Sequence, residues 1–371
     1  MSKARELAEL GAVYDNSALS NRNIIINGAM QVAQRGTSST GLGATSGYYT
    51  VDRMSTAFNG TAGRLTMTQE SITDLPGFTK CVKLACTTAD TSIAAAEYLI
   101  FSQNIEGQNL QHLAKGTSSA KKLTISFYVK GNAAATYVCE MQDSNSREIS
   151  KSFSVTTSWT RVVLTFDGDT DSGGTIVNSN ANGIGLLFWL HAGSNFNSGN
   201  AGDLNTSWNA AGAGTRAAGA DSFFDSTSRT FFITGLQMEV GDTATPFEHR
   251  LVGDELLRCK RYYESSNRSI TGTASTDRLA YLNYTCYTTS SAYCTYFYEV
   301  EKRAIPTITH GSSNWRIYQN NALISSGGAG GTDGIGHRNF SLTISGPTFD
   351  VSEAGMCDYR EHNGIKIDAE L

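Results

Sequence analysis

Proline occurs only four times in 371 residues, and charged side chains make up just 17% of the chain. No run of 18 apolar residues occurs anywhere, which excludes a hydrophobic membrane-spanning helix. The opening MSKARELAELG places Glu6 and Glu9 where a secretory leader needs an unbroken apolar core, so a soluble protein made in the cytoplasm is expected. Basic charge is short as well. A formal net charge of −5 and a pI near 5.7 leave no global positive field to hold nucleic acid. GxSxG, P-loop and GxGxxG motifs are all missing, so no cofactor is expected. The six histidines (His112, His191, His249, His310, His337 and His362) form no HxH or HExxH, and metal-assisted hydrolysis has no visible ligand set. A glycosidase would need two carboxylates on either side of a sugar. The acidic residues here fall mostly in turns (Asp74, Asp143, Asp221) or at a helix cap (Asp254), and no enzymatic activity is expected.

Seven cysteines form an odd set without CxxC spacing. Most sit in apolar alternation, as Cys139 does in TYVCEM, where cysteine behaves as a small hydrophobe; reduced, buried thiols are the reading, ahead of disulfides or zinc. Glycine is abundant, at 37 residues, and Ser, Thr and Asn crowd the intervals between apolar runs, as in a β protein with many turns. From about residue 21 to 250 the alternation predicts ten strands and no convincing internal helix: 23–26, 64–69, 81–86, 97–104, 122–130, 136–141, 148–155, 160–166, 184–190 and 229–240. That count points to an antiparallel double sheet. Two loops, 36–48 and 192–220, are longer than packing requires. Residues 266–371 read as a smaller β-sandwich whose strands are separated by the glycine-rich SGGAGGTDGIG and closed by an Asn363-Gly364 hairpin turn. Ser2 to Leu10 reads as a short helix, too short to hold itself together in water unless it docks.

The stretch from Phe231 to Glu264 joins the two β regions. Its first half alternates, with Phe232, Thr234, Leu236 and Met238 on one side; Gly241, Asp242 and Pro246 break it. A linker helix over 251–265 follows, with Val252, Leu256, Cys259 and Tyr263 at spacings of four, three and four. The runs GLQMEVG, ATPFEHR and DELLRCKRYYE resemble the signature closing the jelly-roll domain of phage virion proteins, mostly tail-fibre or receptor-binding proteins of marine and cyanobacterial phages. NRNIIINGAMQVAQRG, YYTVDRM, IEGQNLQHL, LTISFYVKG and the final IKIDAEL agree with it.

The resemblance implies a jelly roll over 21–250 like a carbohydrate-binding module, a homotrimeric fibre, and virion localisation. Residues 1–20 would attach it to other tail or virion proteins through Leu7 and Leu10, and the host partner would be a surface polysaccharide or lipopolysaccharide. Val252, Leu256, Cys259 and Tyr263 are then candidates for a three-chain seam, or for packing on their own domain. Sugar rings stack on aromatic faces, which makes Phe196 and Trp208 in the long loop the glycan candidates, unless they fold back over a sheet edge. Trp159 and Trp189 lie among apolar strand neighbours and read as core. Tyr281, Tyr284, Tyr287, Tyr293, Tyr296 and Tyr298 read as a core or subunit interface ahead of a contact surface. Asp167, Asp169 and Asp171 alternate like cation ligands, but Ser172 and Asn178 stand where an EF-hand needs glycine and glutamate, so a turn is preferred and no metal is expected. The leading expectation is a non-catalytic tail fibre that binds host glycan; the alternatives are a structural adaptor or decoration protein and a polysaccharide depolymerase.

Overall fold

A computed structural model describes residues 3, 21–198, 203–212, 214–266, 282–310, 315–320, 322–345, 348–351, 353–359 and 365–371. The expected helix at 2–10, with Leu7 and Leu10, and the Asn363-Gly364 turn lie outside the described residues. The chain divides into two compact units, one of residues 1–252 with Leu371 and one of 253–370.

The strands of the larger unit are β1 (Ser38–Leu42), β2 (Gly47–Tyr48), β3 (Ser55–Asn59), β4 (Arg64–Ser71), β5 (Lys80–Thr88), β6 (Tyr98–Glu106) and β7 (Leu123–Gly131). They continue as β8 (Ala135–Asp143), β9 (Arg147–Val155), β10 (Thr160–Phe166), β11 (Asn182–Ala192), β12 (Asn209–Ala210) and β13 (Thr230–Val240). Every pairing is antiparallel. One sheet runs β1-β4-β5-β13-β7-β10 and the other β12-β9-β8-β11-β6-β3-β2. Their inner faces meet in one core of fully buried side chains, including Phe101, Phe127, Phe188 and Phe231. Phe127 and Phe188 pack edge to face with centroids 5.1 Å apart, as aromatic quadrupoles prefer.

All the predicted strands of this unit are present except 23–26. There the backbone is irregular, because the Asn23 side chain takes the bonds a partner strand would make. Asn23 Oδ1 accepts from the amides of Ile25 (3.0 Å) and Met238 (3.1 Å), and its Nδ2 donates to Leu236 O (3.1 Å). Glu248 accepts the Asn23 amide at 2.8 Å, and Arg250 donates to the carbonyls of Asn23 and Ile25. The NRNIII and PFEHR runs thus stitch the two ends of the unit together. Within YYTVDRM, Arg53 is likewise fully buried and donates to Asn104 O at 2.6 Å.

The simple alternation expected along β13 is wrong at one point. Its register shifts between Thr234 and Gln237, so that Phe231 and Ile233 before the shift and Leu236 and Met238 after it all face the core. Gly235 makes this possible. Its φ is +62°, and a Cβ there would lie 2.8 Å from Phe78 and 2.9 Å from Tyr128. Phe232 is therefore turned outward, away from Leu236 and Met238.

The smaller unit begins with helix α1 (Val252–Lys260), shorter than the expected 251–265, followed by β14 (Tyr263–Ser265), β15 (Leu282–Thr288), β16 (Ser291–Phe297), β17 (Thr307–Thr309) and β18 (Trp315–Gln319). β19 (Ala322–Asp333), β20 (Asn339–Ser345), β21 (Ala354–Tyr359) and β22 (Lys366–Asp368) complete it. The layers of this smaller sandwich are continuous, since six strands close in the order β15-β16-β20-β19-β18-β21; β14-β22-β17 form a separate small sheet. The glycine-rich run expected as a spacer is instead most of β19, paired to β18 and β20. Gly330 has a physical reason: a Cβ there would lie 2.6 Å from Trp315 Nε1, and Trp315 fills the barrel interior. Lys302 and Glu264 form a buried ion pair at 2.6 Å.

Candidate functional site

The described residues of the 192–220 segment, the expected glycan loop, lie down on the outer face of the seven-stranded sheet. Trp189, Val138 and Ile100 point outward from that sheet and are covered by Leu204, Ala217 and Ala218. Phe196 joins them, with its ring 5.1 Å from Trp189 and 5.6 Å from Tyr98. Two strand glutamates, Glu140 and Glu148, are buried under the loop. Arg216 returns from the loop between them: its Nε donates to Glu140 Oε2 at 3.1 Å and stands 2.8 Å from Glu148 Oε2. Burial pushes the Glu140 carboxyl up to about 7, against the pull of Arg216. Trp208 is half-buried; its Nε1 donates to Asp167 O at 2.8 Å, and Lys115 Nζ sits 4.0 Å from its ring centroid. Both loop aromatics therefore already have intramolecular packing partners.

The aspartate run does not converge on one point. Asp169 is buried and bonds Lys115 at 2.9 Å and Arg147 Nε at 2.7 Å; burial raises its carboxyl, but those two bases outweigh it and hold it below the usual range. Asp171 caps a short 3₁₀ turn by accepting from Gly173 N, and Asp167 pairs with Lys122 at 3.1 Å. The positive charge at this turn comes from the protein's own Lys115 and Arg147.

On the six-stranded sheet the outward face carries a different array. Alternation sends Val82, Leu84, Ile233 and Val129 into the core and Lys83, Phe232 and Lys130 out. Register then lines them up: Thr68 lies opposite Lys83, Lys83 opposite Phe232, and Phe232 opposite Lys130. This row crosses four strands, about 14 Å at ordinary strand spacing. Trp159, just before β10, ends it, its ring 6.3 Å from that of Phe232 and nearly perpendicular at 73°. Lys130 Nζ sits between the two rings, 4.9 Å from Trp159 and 5.1 Å from Phe232, while Lys83 Nζ lies 5.4 Å from Phe232 on the other side. Asp74 accepts from Trp159 Nε1 at 3.0 Å and from Lys130 Nζ, and these bonds, Lys130 first, hold its carboxyl below the usual range. Glu70 pairs with Lys83 at 3.1 Å. Half-buried rings flanked by fixed charges form a surface that can stack a sugar ring and bond its hydroxyls.

Trp159, expected in the core, is instead half-buried against the small cluster of Ile72, Leu75, Phe78 and Cys81 outside the main core; Trp189 is buried, but beneath the loop. In the smaller unit Cys294 and Tyr298 face inward, whereas Tyr287, Tyr293 and Phe297 are exposed; Tyr281 lies outside the described residues. Of the four expected seam positions, Cys259 and Tyr263 are buried, Leu256 is half-buried and Val252 is 59% exposed. Tyr263 lies beyond the helix, in β14.

No protein-family model matches this chain, and no curated protein matches it. Among solved structures, it is similar to the enzymatically active domain of bacteriophage CBA120 tailspike protein 4, at 11% identity and a TM-score of 0.31, over 59% of this chain and 21% of that one. The match therefore spans about a fifth of the tailspike's length. It is also similar to a family 61 carbohydrate-binding module solved with β-1,4-galactotriose, at 10% identity and a TM-score of 0.29, over 59% of this chain and 99% of that one. A family 4 carbohydrate-binding module aligns at 10% identity and a TM-score of 0.28, over 58% of this chain and 97% of that one.

Proposed function

We propose that this chain is a non-catalytic, glycan-binding component of a phage virion, a tail fibre whose larger unit contacts host surface polysaccharide. The observation that carries the reading is the row Lys83, Phe232, Lys130 and Trp159 across the outward face of the six-stranded sheet, where half-buried rings, packed on one side against Ile72, Leu75, Phe78 and Cys81, alternate with charged hydrogen-bonding groups. Its strand-borne position keeps it rigid, so binding an extended polysaccharide would cost little ordering. The phage setting, attachment to other virion proteins and trimeric assembly rest on the sequence resemblance. Several copies on one particle would multiply weak contacts into firm attachment. Two buried carboxylate pairs fit a non-catalytic role, because Arg216 holds Glu140 with Glu148 and Lys115 holds Asp143 with Asp169.

The test is fluorescently labelled protein mixed with candidate host cells, alongside its mass in solution. Saturable labelling that is lost when surface polysaccharide is stripped, and reduced at least tenfold in Trp159→Ala/Phe232→Ala, supports the proposal. Labelling unchanged in that variant moves the contact elsewhere, and no labelling of any permissive host favours an adaptor that touches only virion proteins.

A further inference from the structure

Among the described residues of the larger unit, three buried clusters hold two carboxylates each, and two of them contain a basic side chain. Arg216 lies between Glu140 and Glu148, and Lys115 between Asp143 and Asp169. The third is Asp90 with Glu97, 5% and 7% exposed, and among the described residues no lysine or arginine pairs with either. What faces them is His191, fully buried on β11. One ligand-type atom from each of the three lies within 4.8 Å of the others. His191 Nε2 is 3.5 Å from Glu97 Oε2, and neither atom makes a hydrogen bond. The other ring nitrogen, Nδ1, is 2.8 Å from Ser222 Oγ. Ser222 Oγ also accepts the Phe224 amide, and in the tautomer whose Nδ1–H donates to Ser222, Nε2 presents its lone pair toward Glu97, two acceptors facing each other inside the protein. Such an arrangement needs a cation, or a proton on Nε2, between them.

We propose that Asp90, Glu97 and His191 bind a divalent transition-metal cation of the zinc type, with a structural role. One imidazole and two carboxylates suit zinc better than calcium, which takes oxygen ligands alone, and three protein donors are a known zinc set when a water fills the fourth position. The surroundings have the supports such a site needs. Ser222 orients the imidazole, while Thr61 Oγ1 (2.8 Å) and the Ala62 amide (2.7 Å) hold the Asp90 carboxylate. The cation would join four segments. These are the β3–β4 turn, the β5–β6 connection, the end of β11 and the 3₁₀ turn Phe223–Asp225, whose Phe224 carbonyl accepts the Asp90 amide at 2.8 Å and whose ring lies 5.3 Å from His191.

The full chain, stripped with EDTA and dialysed, is titrated with zinc chloride, with calcium chloride as control, and followed by metal analysis and thermal unfolding. One zinc per chain is expected, with the unfolding temperature of the larger unit raised by roughly 5 to 10 °C at a hundredfold excess over Kd. Glu97→Gln keeps the side-chain shape and removes one charge, so in EDTA it should unfold no lower than the wild type. It should lose the zinc-dependent rise. The proposal is overturned by no zinc uptake, by a response to calcium alone, or by an equal rise in Glu97→Gln, which would place the zinc on other side chains.

Discussion

Arg216 is the side chain on which the covered face of the larger unit depends most. It faces two fully buried carboxylates, Glu140 and Glu148, and breaking a buried pair by removing one partner leaves an uncompensated charge. Arg216→Met should therefore cost about 3 to 5 kcal/mol, read as a lower urea midpoint of the larger unit. A change below about 1 kcal/mol would mean that water reaches the glutamates and screens them as at a surface. Acid has a predictable sign as well. Asp90, Asp169 and Glu248 are each raised by burial, yet hydrogen bonds to Thr61 and Ala62, to Arg147 and Lys115, and to Asn23 hold all three below their ordinary values. A depressed carboxyl adds stability that is complete above its unfolded-state pKa and is lost as pH falls through the folded one. Glu140 runs the other way, gaining stability as pH falls from about 7 to its ordinary 4.5. The urea midpoint should accordingly drop only below about pH 4, and a midpoint that keeps rising below that pH would contradict the assignment.

At the scale of elements, α1 separates its two expected roles by residue. Cys259 is fully buried, so its place in the apolar spacing serves the fold of the smaller unit, whereas Val252 is 59% exposed and free to meet another chain. Cys259→Asp should unfold the smaller unit, since a lone buried carboxylate has no partner there. Val252→Asp should leave circular dichroism and unfolding temperature unchanged; if the chain assembles through this helix, sedimentation will show the oligomer weakened in that variant. The bulge in β13 is the other element that decides placement. Gly235→Ala would force a Cβ onto Phe78 and Tyr128 at a positive φ. The expected result is a loss of more than about 1 kcal/mol, together with weaker glycan binding, because Phe232 and Lys130 flank that bulge. Unchanged stability would mean that the register shift does not need glycine.

For the whole molecule, each unit has its own core, one containing Phe188 and the other Leu342. Phe188→Ala should lower only the unfolding transition of the larger unit and Leu342→Ala only that of the smaller, each by about 2 to 5 kcal/mol, as resolved by calorimetry. A single transition moved by both variants would show the units to unfold together. Residue order alone was enough to place nine of the thirteen strands of the larger unit, because alternation is a local consequence of a two-residue pleat; it missed β3 and β12, and β1 and β2 lie within the 36–48 stretch that reads as a loop. It also located helix α1, and made the aspartate run read as a turn. It missed the irregular backbone at 23–26, where one asparagine side chain substitutes for a strand's bonds, and it took the glycine-rich 326–336 for a spacer although β19 runs through most of it. The candidate sites were hidden for a different reason. Lys83, Phe232, Lys130 and Trp159 come from three strands and one strand end, and Asp90, Glu97 and His191 span about a hundred positions. Their neighbourhoods are set by strand register and by one glycine bulge. The sequence by itself determined the antiparallel β class and, away from the β13 bulge, much of which side chains alternate inward, because those follow from local periodicity. Tertiary structure alone decided which sheet face the long loop covers, which carries the row of rings and lysines, and which buried carboxylates lack a basic partner, since each depends on pairings between residues far apart in the chain.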